Sequence, residues 1–264
     1  MKGESANWAK TLPDGKNWVV NGIQDALANY HWKPAGNYAE NYTILKKHSN
    51  SIKEALSQND NHAVKNEAKK ILVWGGLRHR SPESWKWIEN CANENKLCEK
   101  IERSIDLLLH QDSDLKSFDG KDLMMNSAIT KVISLADPNN HLIIYDGRVG
   151  AALGYFVQAF KTEQEIDVID KRLAFRWGPD SKEKVKGKNR RNPSSNLLKF
   201  ANLYESKKNK HLQHMKHAEM MRSASHIVGQ VAKQSSVSAR DIEAALFMWG
   251  YDVRSCNRYL DKTN

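Results

Sequence analysis

Only one short run in 264 residues, His141-Leu142-Ile143-Ile144-Tyr145, has the apolar, β-branched character of a strand. A lone strand has no ladder partner, so this run is expected to be an extended connection, and the core has to be built from helices. Ile52, Ala55, Leu56, Ala63, Val64, Ala68, Ile71 and Leu72 keep mostly helical spacing up to Gly75-Gly76, which predicts one or two helices over 51–74. Ser81-Pro82-Glu83 supplies a cap, a first-turn proline and an acid favoured by the helix dipole. The helix that follows is expected to run toward Leu109, burying Trp85, Ile88, Cys91, Ile101, Ile105 and Leu108. A shorter apolar helix is predicted over 124–136, ended by Asp137-Pro138-Asn139-Asn140.

Past Asp146-Gly147, the small residues of Arg148-Val149-Gly150-Ala151-Ala152-Leu153-Gly154 predict a central, closely packed helix. Two more are expected, over 220–231 and from the capping-box-like Ser238-Ala239-Arg240-Asp241 to Gly250. The first 45 residues carry Trp8, Trp18 and Trp32 without a sustained period and are expected to form an irregular arm. The expected fold class is therefore mainly α, a single helical domain over 1–264 with two lobes sharing a cleft and few or no strands.

Charge narrows the partner. Forty-one Lys and Arg against 31 Asp and Glu leave +10, which points to a polyanion. The stretch 179–196 concentrates it: six cations, including Arg190 and Arg191, face only Asp180 and Glu183, a net +4 in an expected flexible loop. Such a loop either neutralises phosphates or is merely a solvated charged face. No charge-free segment approaches transmembrane length, and MKGESANWAK lacks the apolar stretch of a signal peptide, so no membrane partner and a cytoplasmic location are expected. Cys91 and Cys98 fall in one predicted helix about 10.5 Å apart and cannot bridge there, so reduced structural thiols are expected. His211, His214 and His217 drift around a helix among Lys207, Lys208, Lys210 and Lys216, so neither a metal site nor a cofactor is expected.

Chemistry concentrates between 126 and 149. On the predicted helix, Ser127, Lys131 and Ser134 share a polar stripe, and Lys131 is the lone charge among apolar neighbours. A desolvated lysine has a lowered pKa and offers an amine nucleophile near neutral pH. Asp146 stands where helix N–H groups and the helix dipole stabilise a carboxylate, 15 residues further on. The bland alternative is that Asp146 only caps a helix and Lys131 snorkels to solvent.

This block resembles the catalytic segment of the 8-oxoguanine DNA glycosylase family and its bacterial relatives, within the helix-hairpin-helix glycosylases. Lys131-Val132 is similar to the family's Lys-Val helix, and Tyr145-Asp146-Gly147-Arg148-Val149 to its Val-Asp-x-His-like turn. The resemblance implies Lys131 as the amine that attacks C1′ of the deoxyribose and Asp146 as the carboxylate that supports charge at the sugar. It implies Arg148 as a phosphate contact. The family's glycine-rich hairpin is missing, with Met124-Met125-Asn126-Ser127-Ala128 in its place. The specific likeness covers 120–156, with a weaker one in Leu72-Val73-Trp74-Gly75-Gly76 and in 243–251.

The implied activity is excision of a modified base from DNA. The target would be an oxidised purine or a hypermodified phage base such as glucosylated hydroxymethylcytosine, and the role repair or anti-phage defence. Lyase activity could follow from the lysine, and a monomer is expected. Such an enzyme flips the nucleotide into a walled pocket, for which Phe175, Trp177, Phe247 and Trp249 are the candidate walls, each alternatively a core aromatic. Ser127, Arg148, Arg190 and Arg191 are the candidate DNA contacts. Two other readings stand beside this one: a non-catalytic nucleic-acid-binding module of the same fold, and a metal-dependent nuclease.

Overall fold

The computed structural model describes residues 10–11, 17–18, 22–33, 35–77, 81–180, 189–196, 198–205 and 207–253. Among them are nine α-helices and one antiparallel ladder pairing β1 (Lys10–Thr11) with β2 (Asn17–Trp18), so the fold is mainly α. The chain forms two compact units: His31–Tyr145 with Glu205–Ala239, and Met1–Tyr30 with Asp146–Tyr204 and Arg240–Asn264. No helix among the described residues is long and apolar enough to cross a membrane.

The larger unit contains α2 (Tyr38–Ser57), α3 (Asn61–Trp74), α4 (Pro82–Asn93), α5 (Leu97–Leu109), α6 (Ile129–Ala136) and α8 (Gln213–Gln234). Its core is aliphatic, with Ile52, Val64, Ile71, Leu72, Ile88 and Ile101 all fully buried. Helix α2 starts inside the stretch expected to be irregular. There the Asn37 side chain accepts the Glu40 N–H and the Glu40 carboxylate accepts the Asn37 N–H, a reciprocal cap that satisfies two end donors.

The segment 81–109 is two helices, not one. The chain leaves α4 through Asn95 in a left-handed conformation (φ 56), which asparagine tolerates better than most residues, and restarts at Leu97. Cys91 and Cys98 thus sit on different helices; both are free and buried. Burial pushes the Cys91 thiol up to about 11, the property of a structural rather than a reactive cysteine.

The helix expected over 124–136 starts late. Asn126 Oδ1 accepts the N–H groups of Ala128 and Ile129 and holds 124–128 outside the helix. Helix α8 in turn begins earlier than its apolar pattern suggested, at Gln213.

The run 141–145 is extended and forms no ladder among the described residues, as expected. Its backbone is served by side chains instead. Asp137 accepts the N–H groups of His141 and Leu142, Ser225 Oγ that of Ile143, and Thr130 Oγ1 that of Tyr145. Ser134 donates to the Leu142 carbonyl, and His217 Nε2 lies 2.9 Å from the Tyr145 carbonyl. Buried backbone polar groups must be paired, and here a polar cage replaces the ladder.

The smaller unit contains α1 (Ile23–Ala28), α7 (Gly147–Glu163) and α9 (Ala239–Trp249), which Gly250 ends as predicted. Helix α7 has the buried small-residue face its sequence suggested, from Val149 to Leu153. At its first residue Gly147 meets Gly178 backbone to backbone, and a Cβ on Gly147 would stand 2.6 Å from the Gly178 Cα. Only glycine allows that approach.

Candidate functional site

Helix α6 is buried on every side. Each of its eight residues is at most 7% exposed, and Lys131 is the one charge among them. The amine does not reach for solvent. Nζ donates to the Ser127 carbonyl at 2.6 Å, just before the helix begins. Ser127, a candidate DNA contact, therefore meets the candidate nucleophile through its backbone carbonyl. The polar stripe also includes Thr130, which holds the start of the Tyr145-Asp146 turn through its hydroxyl.

Asp146 lies in the other unit and is the N-cap of α7. Its Oδ1 accepts from Arg148 N at 2.8 Å and from Val149 N at 3.1 Å, satisfying two of the orphan donors at the helix start. The carboxylate also sits in the field of the Arg148 guanidinium.

Three of the candidate phosphate contacts converge in this smaller unit. The Arg148 guanidinium carbon lies 4.4 Å from the Phe247 ring centroid and 5.1 Å from that of Tyr251, and the Arg190 carbon lies 5.6 Å from Tyr251. Cation–π contacts of this kind contribute about 0.5–2 kcal/mol each, more as water is excluded. Burial pushes the Arg148 guanidinium down to about 10, helped by the positive charge of Arg191 and opposed by Asp146, Tyr251 and Asp180. It stays protonated at neutral pH. Asp146 and Asp180 supply the negative charge that this cluster of cations carries within the chain.

Arg190 and Arg191 are not solvated loop charges. Both are part-buried against Asp180, at 3.6 and 3.5 Å, with side-chain exposures of 23% and 15%. Asn189 exchanges two hydrogen bonds with the Asp180 backbone, joining the residues that flank 181–188. Lys182, Lys184, Lys186 and Lys188 lie outside the described residues.

The four aromatic candidates separate by burial. Phe175 is 1% and Trp177 8% exposed, and the Trp177 indole donates to the Phe200 carbonyl, so both serve the core of the smaller unit. Phe247 and Trp249 on α9 keep part of their surface. Phe247 packs on Tyr30 and under Arg148, and Trp249 meets the half-exposed Phe156 with ring centroids 5.0 Å apart. Tyr251 and Asp180 belong to the arginine cluster and were missed; Tyr251, two residues past Trp249, was within reach of an aromatic count along α9.

His214 and His217 are buried hydrogen-bonding residues, with ring nitrogens 2.7 Å from the Met125 carbonyl and 2.9 Å from the Tyr145 carbonyl. Among the described residues no group of three or more His, Cys, Asp or Glu is placed to hold a metal ion.

No protein-family model matches the chain, and no solved structure matches it. Over 125 residues, 45% of its length, it is 26% identical to the sulfite reductase (NADPH) flavoprotein alpha-component of Buchnera aphidicola. The chain spans about a fifth of that relative, 19% of its length.

Proposed function

We propose that the chain is a DNA N-glycosylase that removes a modified base, with Lys131 as nucleophile and Asp146 as the carboxylate that supports charge at the sugar. The observation that carries the reading is the single buried charge of α6, an amine tied to the Ser127 carbonyl, 15 residues before a helix-capping aspartate. These are the two positions that resemble the catalytic residues of the 8-oxoguanine DNA glycosylases. The Lys131 amine forms a bond to C1′ as the N-glycosidic bond breaks and the base leaves with the bonding pair. Opening of the sugar then gives a Schiff base, which hydrolyses or undergoes strand-cleaving elimination.

The Arg148–Arg190–Arg191 cluster supports the same reading as a seat for backbone phosphate. Arg148 is oriented by two rings beneath it, so it would meet a phosphate with little further ordering. The bound base would belong to flipped-out DNA, either an oxidised purine or a bulky phage base. The likeness to a flavoprotein component spans too little of that protein to suggest flavin chemistry here.

One observation favours the non-catalytic alternative, a nucleic-acid-binding module: Asp146 Oδ1 already accepts two helix N–H groups. Base release separates the two readings. The protein is incubated with duplexes carrying oxidised purines and with glucosylated phage DNA, and free base is measured. Release from at least one substrate, lost in Lys131→Ala, is expected; no release from any of them contradicts the proposal.

A further inference from the structure

We infer that Gly75 is a positioning residue for Lys131: its missing side chain leaves the channel through which the lysine stem reaches the Ser127 carbonyl. The inference rests on the nucleophile role of Lys131 proposed above.

In sequence, Gly75-Gly76 reads as a helix stop, and for Gly76 that suffices. Gly76 has φ +72, where a side chain is strained, and Leu77 N–H closes back on the Leu72 carbonyl at the end of α3. Gly75 has φ −67 and ψ 3, a conformation open to every residue. Backbone geometry therefore gives no reason for a glycine at 75.

The reason lies across the unit's core. A Cβ on Gly75 would stand 2.8 Å from Lys131 Cδ and 2.9 Å from Cε, closer than carbon atoms approach without one moving. The next neighbour, the Ile71 carbonyl oxygen, is at an ordinary 3.5 Å. Among the described residues the lysine stem is thus the one close obstacle, and it runs directly over the glycine.

Of the two partners, the lysine side chain is the flexible one. Trp74 is pinned from two sides, its indole donating to Asn41 Oδ1 at 3.0 Å and its carbonyl accepting from the Trp32 indole at 3.1 Å. Helix α6 is enclosed along its whole length. An added methyl at 75 therefore displaces the flexible partner, the lysine stem, by about 0.6 Å to restore a 3.4 Å contact. That motion is handed to Nζ. Misplacing a reacting group by about 1 Å can cost a hundredfold in rate, so roughly tenfold is expected here.

The test joins a thermal-midpoint cycle with a trapping assay. Wild type, Gly75→Ala, Lys131→Ala and the double variant are melted, with Gly229→Ala as the control for a glycine-to-alanine change. Gly229 lies within α8, where a Cβ would meet nothing within 4 Å among the described residues. Gly75→Ala is expected to lower the midpoint when Lys131 is present. With Lys131→Ala it is expected to be neutral or to raise the midpoint, because the stem is gone and alanine at a permitted φ restricts the unfolded chain. Gly229→Ala is expected not to lower it.

Single-turnover borohydride trapping on an abasic-site duplex should fall about tenfold in Gly75→Ala, with duplex affinity within twofold of wild type. A wild-type protein that traps no DNA overturns the nucleophile reading, while the melting cycle still decides the packing claim. Trapping by wild type and Gly75→Ala at equal rates overturns the positioning role. The same penalty for Gly75→Ala with and without Lys131 overturns it too.

Discussion

Replacing Thr130 with valine tests whether the strap from 141 to 145 is held by side chains in place of a sheet. Thr130 Oγ1 accepts the Tyr145 N–H at 2.9 Å and lies 3.2 Å from Met221 Sδ, and both Thr130 and Tyr145 are 0% exposed. Valine has the same shape, so no cavity opens. What changes is the Tyr145 N–H, which loses its acceptor where water cannot replace it, at a cost of about 1–3 kcal/mol. The extra methyl contributes less than about 1 kcal/mol in return, so a net loss of roughly 2 kcal/mol is expected. Thr130→Ser keeps the hydroxyl and removes one methyl, for about 1 kcal/mol.

The assay is urea unfolding by linear extrapolation, with similar slopes across the three proteins and the order wild type, serine, valine in falling stability. The reversed order, valine at or above serine, would refute the claim that hydroxyl-to-backbone bonds secure the strap that leads into Asp146.

The other predictions address the site and its charges. Asp146→Asn keeps a capping oxygen and should stay within about 0.5 kcal/mol of wild-type stability, whereas Asp146→Ala should lose about 1 kcal/mol. Base release should fall in both, and an Asn variant with wild-type turnover would leave Asp146 as a cap alone. Arg148→Lys loses the planar stacking on Phe247 and Tyr251, and it should weaken duplex binding while retaining the salt dependence of one charge. Arg148→Ala should lower the slope of log affinity against log salt by about one, and an unchanged slope would remove Arg148 from the phosphate contacts.

Asp122 is held below the usual carboxylate range, first by a hydrogen bond from Lys100 and then by the charges of Lys100 and Arg103. A depressed folded-state pKa stabilises above the unfolded value of about 3.9 and is lost as pH falls through the folded one. Acid titration of Asp122→Asn should therefore show a smaller loss of stability below about pH 4 than wild type. An identical acid limb would count against that pairing.

Local signals account for what could be read in advance. The start of α7 at Asp146-Gly147, the stop after α6 at Asp137-Pro138 and the end of α9 at Gly250 each follow from adjacent residues, and all three are found. The extended 141–145 run was legible because one strand alone has nothing to pair with. The break at Asn95 was not, because Asn93-Glu94-Asn95-Lys96 contains neither glycine nor proline to mark it, and the left-handed turn costs asparagine little.

Asn126 carries the same lesson. Its side chain competes with the helix for Ala128 and Ile129 N–H, and periodicity does not register that competition. The burial of Lys131 was legible from its apolar neighbours, but the place of its amine was not. That depends on Gly75, 56 residues earlier, and on a backbone carbonyl. The part-burial of Arg190 and Arg191 was not legible, because their partner Asp180 stands across the intervening segment 181–188.

The central claim concerns one amine. Incubation with a duplex carrying an excisable modified base, followed by borohydride, should give a covalent protein–DNA adduct whose tryptic map places the link on Lys131. The adduct should be absent from Lys131→Ala. An adduct on another residue, or base release that survives Lys131→Ala at the wild-type rate, would contradict it.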